Sequence, residues 1–131
     1  MTVALHPGRE GRVVRTVGVD DTALALGSGD VEVLATPRII AWLEAATVAA
    51  LDGALPDGAT SVGTRIDVDH RAATPVGGVV TATASLSHVD GRLLRFEVAA
   101  EHRLGDADPV LVATGQVTRV VVDRTRFLSR L

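Results

Sequence analysis

One stretch of the sequence, LATPRIIAWLEAATVAAL from Leu34 to Leu51, constrains the fold more than any other. Thirteen residues separate Arg38 from Asp52, and Glu44 is the only charged residue among them. A helix of this composition is apolar on nearly every face, so it should be buried on more than one side. Because an unpaired carboxylate in an apolar site is costly, Glu44 must meet a partner, be protonated or face water.

Local signals mark both ends of this helix. Thr36 is a good N-cap residue and Pro37 suits the first helical position, whereas Asp52 and Gly53 stop the apolar run. We therefore predict a helix over about residues 37–52.

The rest of the chain has a hydrophobic period of two, which indicates β-strands. Asp90-Gly91 predicts a tight hairpin, so the neighbouring strands should be antiparallel. The terminal DRTRFLSRL is expected to form a short helix whose Phe127 and Leu128 cover a sheet edge. The strand-like segments are RVVRTVGV, TSVGTRIDVDH, GVVTATASLSHV, GRLLRFEVAAEH and VLVATGQVTRVVV.

The order of one strand, one long helix and four strands predicts an α+β protein with an antiparallel sheet around a single helix. One five-stranded sheet offers the helix only one face. A sheet that wraps round the helix and continues into a second chain covers it better, and this is the hot-dog arrangement. With 131 residues, we expect one hot-dog domain over residues 1–131 that forms a homodimer.

Composition argues against several classes of partner. The net charge of −3 comes from 13 basic residues interspersed with 16 acidic ones, which argues against nucleic-acid binding. The absence of cysteine excludes disulfides, thiolate nucleophiles and zinc–cysteine sites. Neither a signal peptide nor a membrane span is visible, so a cytoplasmic protein that does not bind membranes is expected.

Strand parity places His70 on the same face as the apolar residues Ile66 and Val68. An inward His70 can pair with Glu44 across the helix–sheet interface, which favours general acid–base chemistry. The alternatives are a satisfied core histidine and a glutamate on a solvated edge of the helix. Because Asp67 and Asp69 fall on the opposite face, no metal site is expected.

The spacing of these residues resembles that of a known family. The first motif is Ala35-Thr36, followed after seven residues by Glu44. The second motif is Val62-Gly63, followed after six residues by the string HRAATPVG from His70 to Gly77. This pattern is similar to the fluoroacetyl-CoA thioesterase-like family of hot-dog proteins, over roughly residues 30–130.

The resemblance implies a catalytic group of Thr36, Glu44 and His70, with Gly63 near the reacting carbonyl. Arg119 in GQVTR corresponds to a substrate-binding arginine, although Val117 stands where the family pattern has histidine. Thr36 and Glu44 lie eight residues apart, about 12 Å of helical rise, so a second subunit or the substrate must close the gap unless the helix starts later.

The expected function is hydrolysis of a short-chain acyl-CoA at the interface of a homodimer, with no cofactor beyond the coenzyme A of the substrate. A non-catalytic acyl-CoA binding or sensing protein is the alternative. An enoyl-CoA hydratase would need an Asp–His pair placed differently.

Two further features of the sequence bear on the site. The segment LGSGDVEVL, before Ala35, contains no aromatic residue for a fluorine-selective lid. The remaining histidines, His6, His88 and His102, are interpreted as loop or strand-end residues.

Overall fold

A computed structural model describes residues 4–131, in which five antiparallel strands form one sheet against a long helix. The strands are β1 (Glu10–Thr16), β2 (Ala59–His70), β3 (Val79–Asp90), β4 (Leu93–Arg103) and β5 (Val110–Asp123). The helices are α1 (Ala23–Leu26), α2 (Thr36–Ala50) and α3 (Arg124–Ser129). The sheet order is β1-β3-β4-β5-β2, so β1 and β2 form its edges. The predicted α+β hot-dog fold is confirmed.

The helix α2 packs across the sheet and touches all five strands. Gly11 on β1 allows the closest approach, because a Cβ atom there would collide with the backbone of Ala46 and Ala50. The helix buries one broad face and leaves Val48 51% exposed. The buried residues of α2 are Ile39, Trp42, Leu43, Ala46, Thr47 and Ala50.

The two central strands supply the opposite wall of the core. In β3 and β4 the buried residues alternate with more exposed ones, as the period of two predicts. The inward residues are Val80, Ala82, Ala84 and Leu86 on β3 and Leu94, Phe96, Val98, Ala100 and His102 on β4. The hairpin between them turns through Gly91, whose φ of 59° suits glycine.

Several boundaries differ from the sequence-based expectation. The helix α2 ends two residues earlier than predicted, and its N-cap is Ala35, which makes no side-chain cap hydrogen bond. Thr36 is already helical, so its assignment as the N-cap was wrong. The first strand ends at Thr16 instead of Val19, because the Asp21 carboxylate accepts the Gly18 amide at 2.8 Å and starts a 3-10 turn.

The edge strand β2 is irregular near its middle. Its pairing with β5 shifts between Gly63 and Arg65, which marks a β-bulge at Thr64. After the bulge, Ile66 pairs with the buried Val117 and His70 pairs with the buried Ala113. His70 therefore lies on the inner face of the sheet, as strand parity predicts.

Within residues 4–131, no helix has the length and apolar character needed to cross a membrane.

Candidate active site

Glu44 occupies the middle of α2 and forms an ion pair with a residue of the sheet. Its Oε2 lies 3.4 Å from Nη1 of Arg119, and the Glu44 side chain is 36% exposed whereas that of Arg119 is 9% exposed. The carboxylate is therefore both paired and open to solvent, which accounts for a charge on an otherwise apolar helix. Arg119 contacts Oε2, and no residue among those described donates a hydrogen bond to Oε1.

Arg119 itself is fixed by two further hydrogen bonds to β2. Its Nε donates to Oγ of Ser61 at 2.8 Å, and its Nη2 donates to the Ser61 carbonyl at 3.1 Å. Burial lowers the pKa of Arg119, and the negative charge of Glu44 opposes that shift. The guanidinium is a rigid support for Glu44. No motif in the sequence had pointed to Ser61.

Gly63 lies directly beneath this carboxylate. A Cβ atom at Gly63 would lie 2.5 Å from Oε2 of Glu44 and 3.5 Å from Nη1 of Arg119. Any side chain here would displace the carboxylate or break its ion pair. The glycine therefore permits Glu44 to approach the strand backbone, next to the bulge at Thr64.

Thr36 and His70 form a second polar pair at the other end of the site. Oγ1 of Thr36 lies 2.8 Å from Nδ1 of His70, because the first turn of α2 meets the last residue of β2. The threonine hydroxyl is thus used for His70 and not for capping. The N-cap role expected for Thr36 is therefore replaced by a direct contact with His70.

The environment of His70 favours its neutral form. Burial lowers the pKa of His70 below 6.5, and a backbone hydrogen bond at Ala72 partly opposes the shift. Nε2 of His70 is buried and has no hydrogen-bond partner among the described residues. The hydrogen-bonding capacity of this nitrogen is therefore unsatisfied within the described part of one chain.

The structure does not bring the two polar pairs together within one chain. Among residues 4–131, the ion pair of Glu44 is with Arg119, and none forms between Glu44 and His70. The expected direct Glu44–His70 pair was therefore wrong for a single chain. Glu44 with Gly63 and Thr36 with His70 are therefore two separate candidate groups, called the half-sites below.

A cavity of about 330 Å³ lies beside the Thr36–His70 pair. Its wall includes residues of the segment between α1 and α2, in particular Ser28, Gly29 and Val31. Among the described residues, no phenylalanine, tyrosine or tryptophan lines it. Its volume lies at the lower end of the range for small-molecule sites, about 300–1,000 Å³.

A second threonine–histidine pair is buried behind this cavity. Oγ1 of Thr74 lies 2.6 Å from Nδ1 of His102, and the two residues are 0% and 4% exposed. His102 is the second-last residue of β4, so its interpretation as a strand-end residue is confirmed, but its side chain is buried on the inner face and has a partner. The carbonyl of Thr74 also accepts the amide of Leu34 at 2.8 Å, so the pair ties the segment before Thr36 to the segment after His70.

We expect Thr74→Val to lower the free energy of unfolding by about 1–3 kcal/mol, because Nδ1 of buried His102 would lose its hydrogen-bond partner. Urea denaturation measures this effect. Thr83→Val is the matched control, since Thr83 is exposed and its side-chain hydrogen bond is long, at 3.4 Å. Equal unfolding midpoints for the two variants would show that the buried pair contributes nothing to stability.

The architecture places the chain in the hot-dog class of thioesterase-fold proteins. A Thermus thermophilus protein described as a thioesterase superfamily member superposes with a TM-score of 0.84 at 22% identity, over 95% of this chain and 89% of that one. At that identity the likeness concerns the fold alone. A hot-dog-like protein from Thermanaerovibrio acidaminovorans gives a TM-score of 0.81 at 31% identity, over 95% and 88% of the two chains.

Within this class, the chain belongs to the fluoroacetyl-CoA-specific thioesterase family, whose pattern matches residues 17–125. It is 36% identical over 100 residues to the fluoroacetyl-CoA thioesterase of Streptantibioticus cattleyicolor, covering 76% of this chain and 68% of that protein. The structure of a mutant fluoroacetyl-CoA enzyme in complex with acetyl-CoA superposes with a TM-score of 0.86 at 30% identity, over 96% of each chain. The family resemblance found in the sequence is confirmed.

Proposed function

We propose that this protein is a thioesterase that hydrolyses a short-chain acyl-CoA to the free acid and coenzyme A. Membership of a thioesterase family supports the reaction class. The observation that carries the proposal is the Glu44–Arg119 ion pair over Gly63, in which a half-exposed carboxylate is held by a buried guanidinium. Such an oriented carboxylate serves as a nucleophile or as a base that activates water.

The chemistry divides between the two half-sites. As a nucleophile, Glu44 attacks the thioester carbonyl and forms a mixed anhydride, which water then hydrolyses to the free acid and the regenerated carboxylate. As a base, Glu44 deprotonates the water that attacks the carbonyl. In both routes the carbon–sulfur bond breaks, and coenzyme A leaves as a thiolate that takes up a proton. His70, hydrogen-bonded to Thr36, moves protons at its free Nε2. The segment around Gly63 approaches the reacting carbonyl, and Arg119 keeps Glu44 in place instead of binding the substrate directly. Neither step requires a cofactor or a metal.

A homodimer joins the two half-sites in this proposal. The twelve-residue strand β2 forms a sheet edge, which is the natural place for a second chain to add. Antiparallel pairing of two β2 strands centred on Asp67 would set His70 of each chain opposite Thr64 of the other, beside Gly63. Glu44 of one subunit would then meet the Thr36–His70 pair of the partner.

Two exposed apolar side chains support this interface. Ile66 on β2 is 38% exposed, and Val48 is 51% exposed on α2, whose opposite face is buried. A second chain on the β2 edge would cover them. The same arrangement removes the problem of helical rise, because Thr36 and Glu44 of one chain then serve different sites.

We expect little preference for fluoroacetyl-CoA over acetyl-CoA or propionyl-CoA, with kcat/KM values within about tenfold of one another. Fluorine is small, and the cavity beside His70 is lined by Ser28, Gly29 and Val31, with no phenylalanine, tyrosine or tryptophan among the described lining residues. Steady-state hydrolysis of the three esters measures the preference. A selectivity of about several hundredfold for the fluorinated ester would show that other contacts recognise fluorine.

The same panel tests the reaction class. Release of coenzyme A from at least one short ester supports the thioesterase, whereas tight binding without hydrolysis would indicate a non-catalytic acyl-CoA binding protein. Loss of the ultraviolet absorbance of an enoyl-CoA, without release of thiol, would indicate a hydratase instead.

A further inference from the structure

Outside the two half-sites, an arginine-lined cleft of about 350 Å³ lies at the end of the sheet beside α3. We call it the arginine cleft. Three guanidinium groups come from separate places in the fold, the β3–β4 turn, α3 and the residue after α3. The cleft is lined by Asp57, Ala59, Arg92, Val122, Asp123, Arg126, Phe127 and Arg130.

The three arginines have no anionic partner within the described residues. The ion pairs formed there are Arg38 with Asp21 and Arg119 with Glu44, so none involves the cleft. Asp123 instead uses its carboxylate to accept the amide of Arg126 at 2.9 Å, which caps α3. Although the whole chain carries a net charge of −3, the lining of the cleft carries three positive charges against two negative ones.

The cleft lies in line with the Glu44 half-site. Ala59 precedes Gly63 by four residues on β2, a distance of about 13 Å along the strand. A second cavity of about 270 Å³ lies between them, with Val48, Leu51, Thr60 and Ser61 in its lining. Val48 is one helical turn beyond Glu44, so these residues mark a path from the carboxylate toward the cleft.

We infer that the arginine cleft binds the phosphate groups of the coenzyme A moiety, an inference that rests on the proposed thioesterase function. Coenzyme A carries a diphosphate and a 3′-phosphate, separated from its thioester by the extended pantetheine arm. Guanidinium groups match phosphate oxygens with paired, charge-assisted hydrogen bonds. Phe127, which is 38% exposed and lines the same cleft, offers an aromatic surface for the adenine.

The test compares two substrates, acetyl-CoA and acetyl-pantetheine, which lacks the nucleotide and all phosphates. In a variant with Arg92→Gln, Arg126→Gln and Arg130→Gln, KM for acetyl-CoA should rise by about tenfold or more while kcat stays level. The kcat/KM for acetyl-pantetheine should not change. Arg103→Gln, at an exposed arginine of β4 outside the cleft, is the matched control and should leave both substrates unaffected.

Two outcomes overturn the inference. One is a triple variant that keeps the wild-type KM for acetyl-CoA. The other is an equal loss of kcat/KM for acetyl-CoA and acetyl-pantetheine, which would show that the arginines do not act through the phosphates. If the wild-type protein hydrolyses neither substrate, the proposed function fails separately. Calorimetric titration of coenzyme A into the wild-type protein and into the triple variant then tests the inference without turnover. Equal affinities would show that the cleft does not bind the phosphates of coenzyme A.

Discussion

Replacing Glu44 with glutamine is expected to lower the turnover of acetyl-CoA by about a hundredfold or more, whether the carboxylate is a nucleophile or a base. Glutamine keeps the shape of the side chain and still offers Arg119 an oxygen acceptor. The thermal midpoint should therefore change little. Steady-state hydrolysis and thermal denaturation of the same preparation measure both effects.

Glu101→Gln is the matched control for this substitution, because Glu101 is exposed on β4 and has no side-chain contact with the Glu44 half-site. It should match the wild type in both assays. If Glu44→Gln hydrolyses acetyl-CoA at the wild-type rate but melts several degrees lower, Glu44 is only the structural partner of Arg119. The catalytic assignment would then fail.

The acidic limb of the pH–rate profile should report His70. Since burial lowers the pKa of His70, kcat/KM should stay level at neutral pH and fall only below 6.5, as the imidazole becomes protonated. His70→Ala should reduce turnover by about a hundredfold and remove this limb. Thr36→Ser keeps a hydroxyl for Nδ1 and should be mild, whereas Thr36→Val should approach the effect of the alanine variant.

The lowered pKa of His70 also makes the stability of the fold depend on pH. The folded state binds the proton at His70 less readily than the unfolded chain, so this residue contributes stability above pH 6.5 that is lost as the pH falls through the lowered folded value. His70→Ala should flatten that part of the stability profile, and His88→Ala, at an exposed position, should not. If the loss of stability at low pH is unchanged in His70→Ala, that loss belongs to another titrating group.

Patterns within short stretches of sequence predicted the fold well. The apolar run before Asp52 gave the helix, and Asp90-Gly91 gave the hairpin, because each depends on neighbours a few residues apart. The short helix α1 was missed, although Thr22, whose side chain accepts the Ala25 amide, and Gly27, with a φ of 71°, mark its ends. Four residues are too few for a hydrophobic period to be recognised.

The contacts that build the candidate site could not be predicted from short stretches of sequence, because they join residues far apart along the chain. Glu44 and Arg119 are 75 residues apart, and their meeting depends on the strand order and on the bulge after Gly63. Thr74 and His102 meet across 28 residues for the same reason. Residue types and spacing identified Thr36, Glu44 and His70 as candidates, but only the folded structure shows that Thr36 contacts His70 whereas Glu44 contacts Arg119.

The most direct test of this account asks whether one active site takes Glu44 from one subunit and His70 from the other. Glu44→Gln and His70→Ala chains with different affinity tags are co-expressed, and the mixed dimer is purified through both tags. Each mixed dimer should contain one intact site and one doubly substituted site, so acetyl-CoA hydrolysis should recover to about half of the wild-type rate. If no doubly tagged species forms, or if the mixed dimer is as inactive as its parents, the proposed two-subunit site is contradicted.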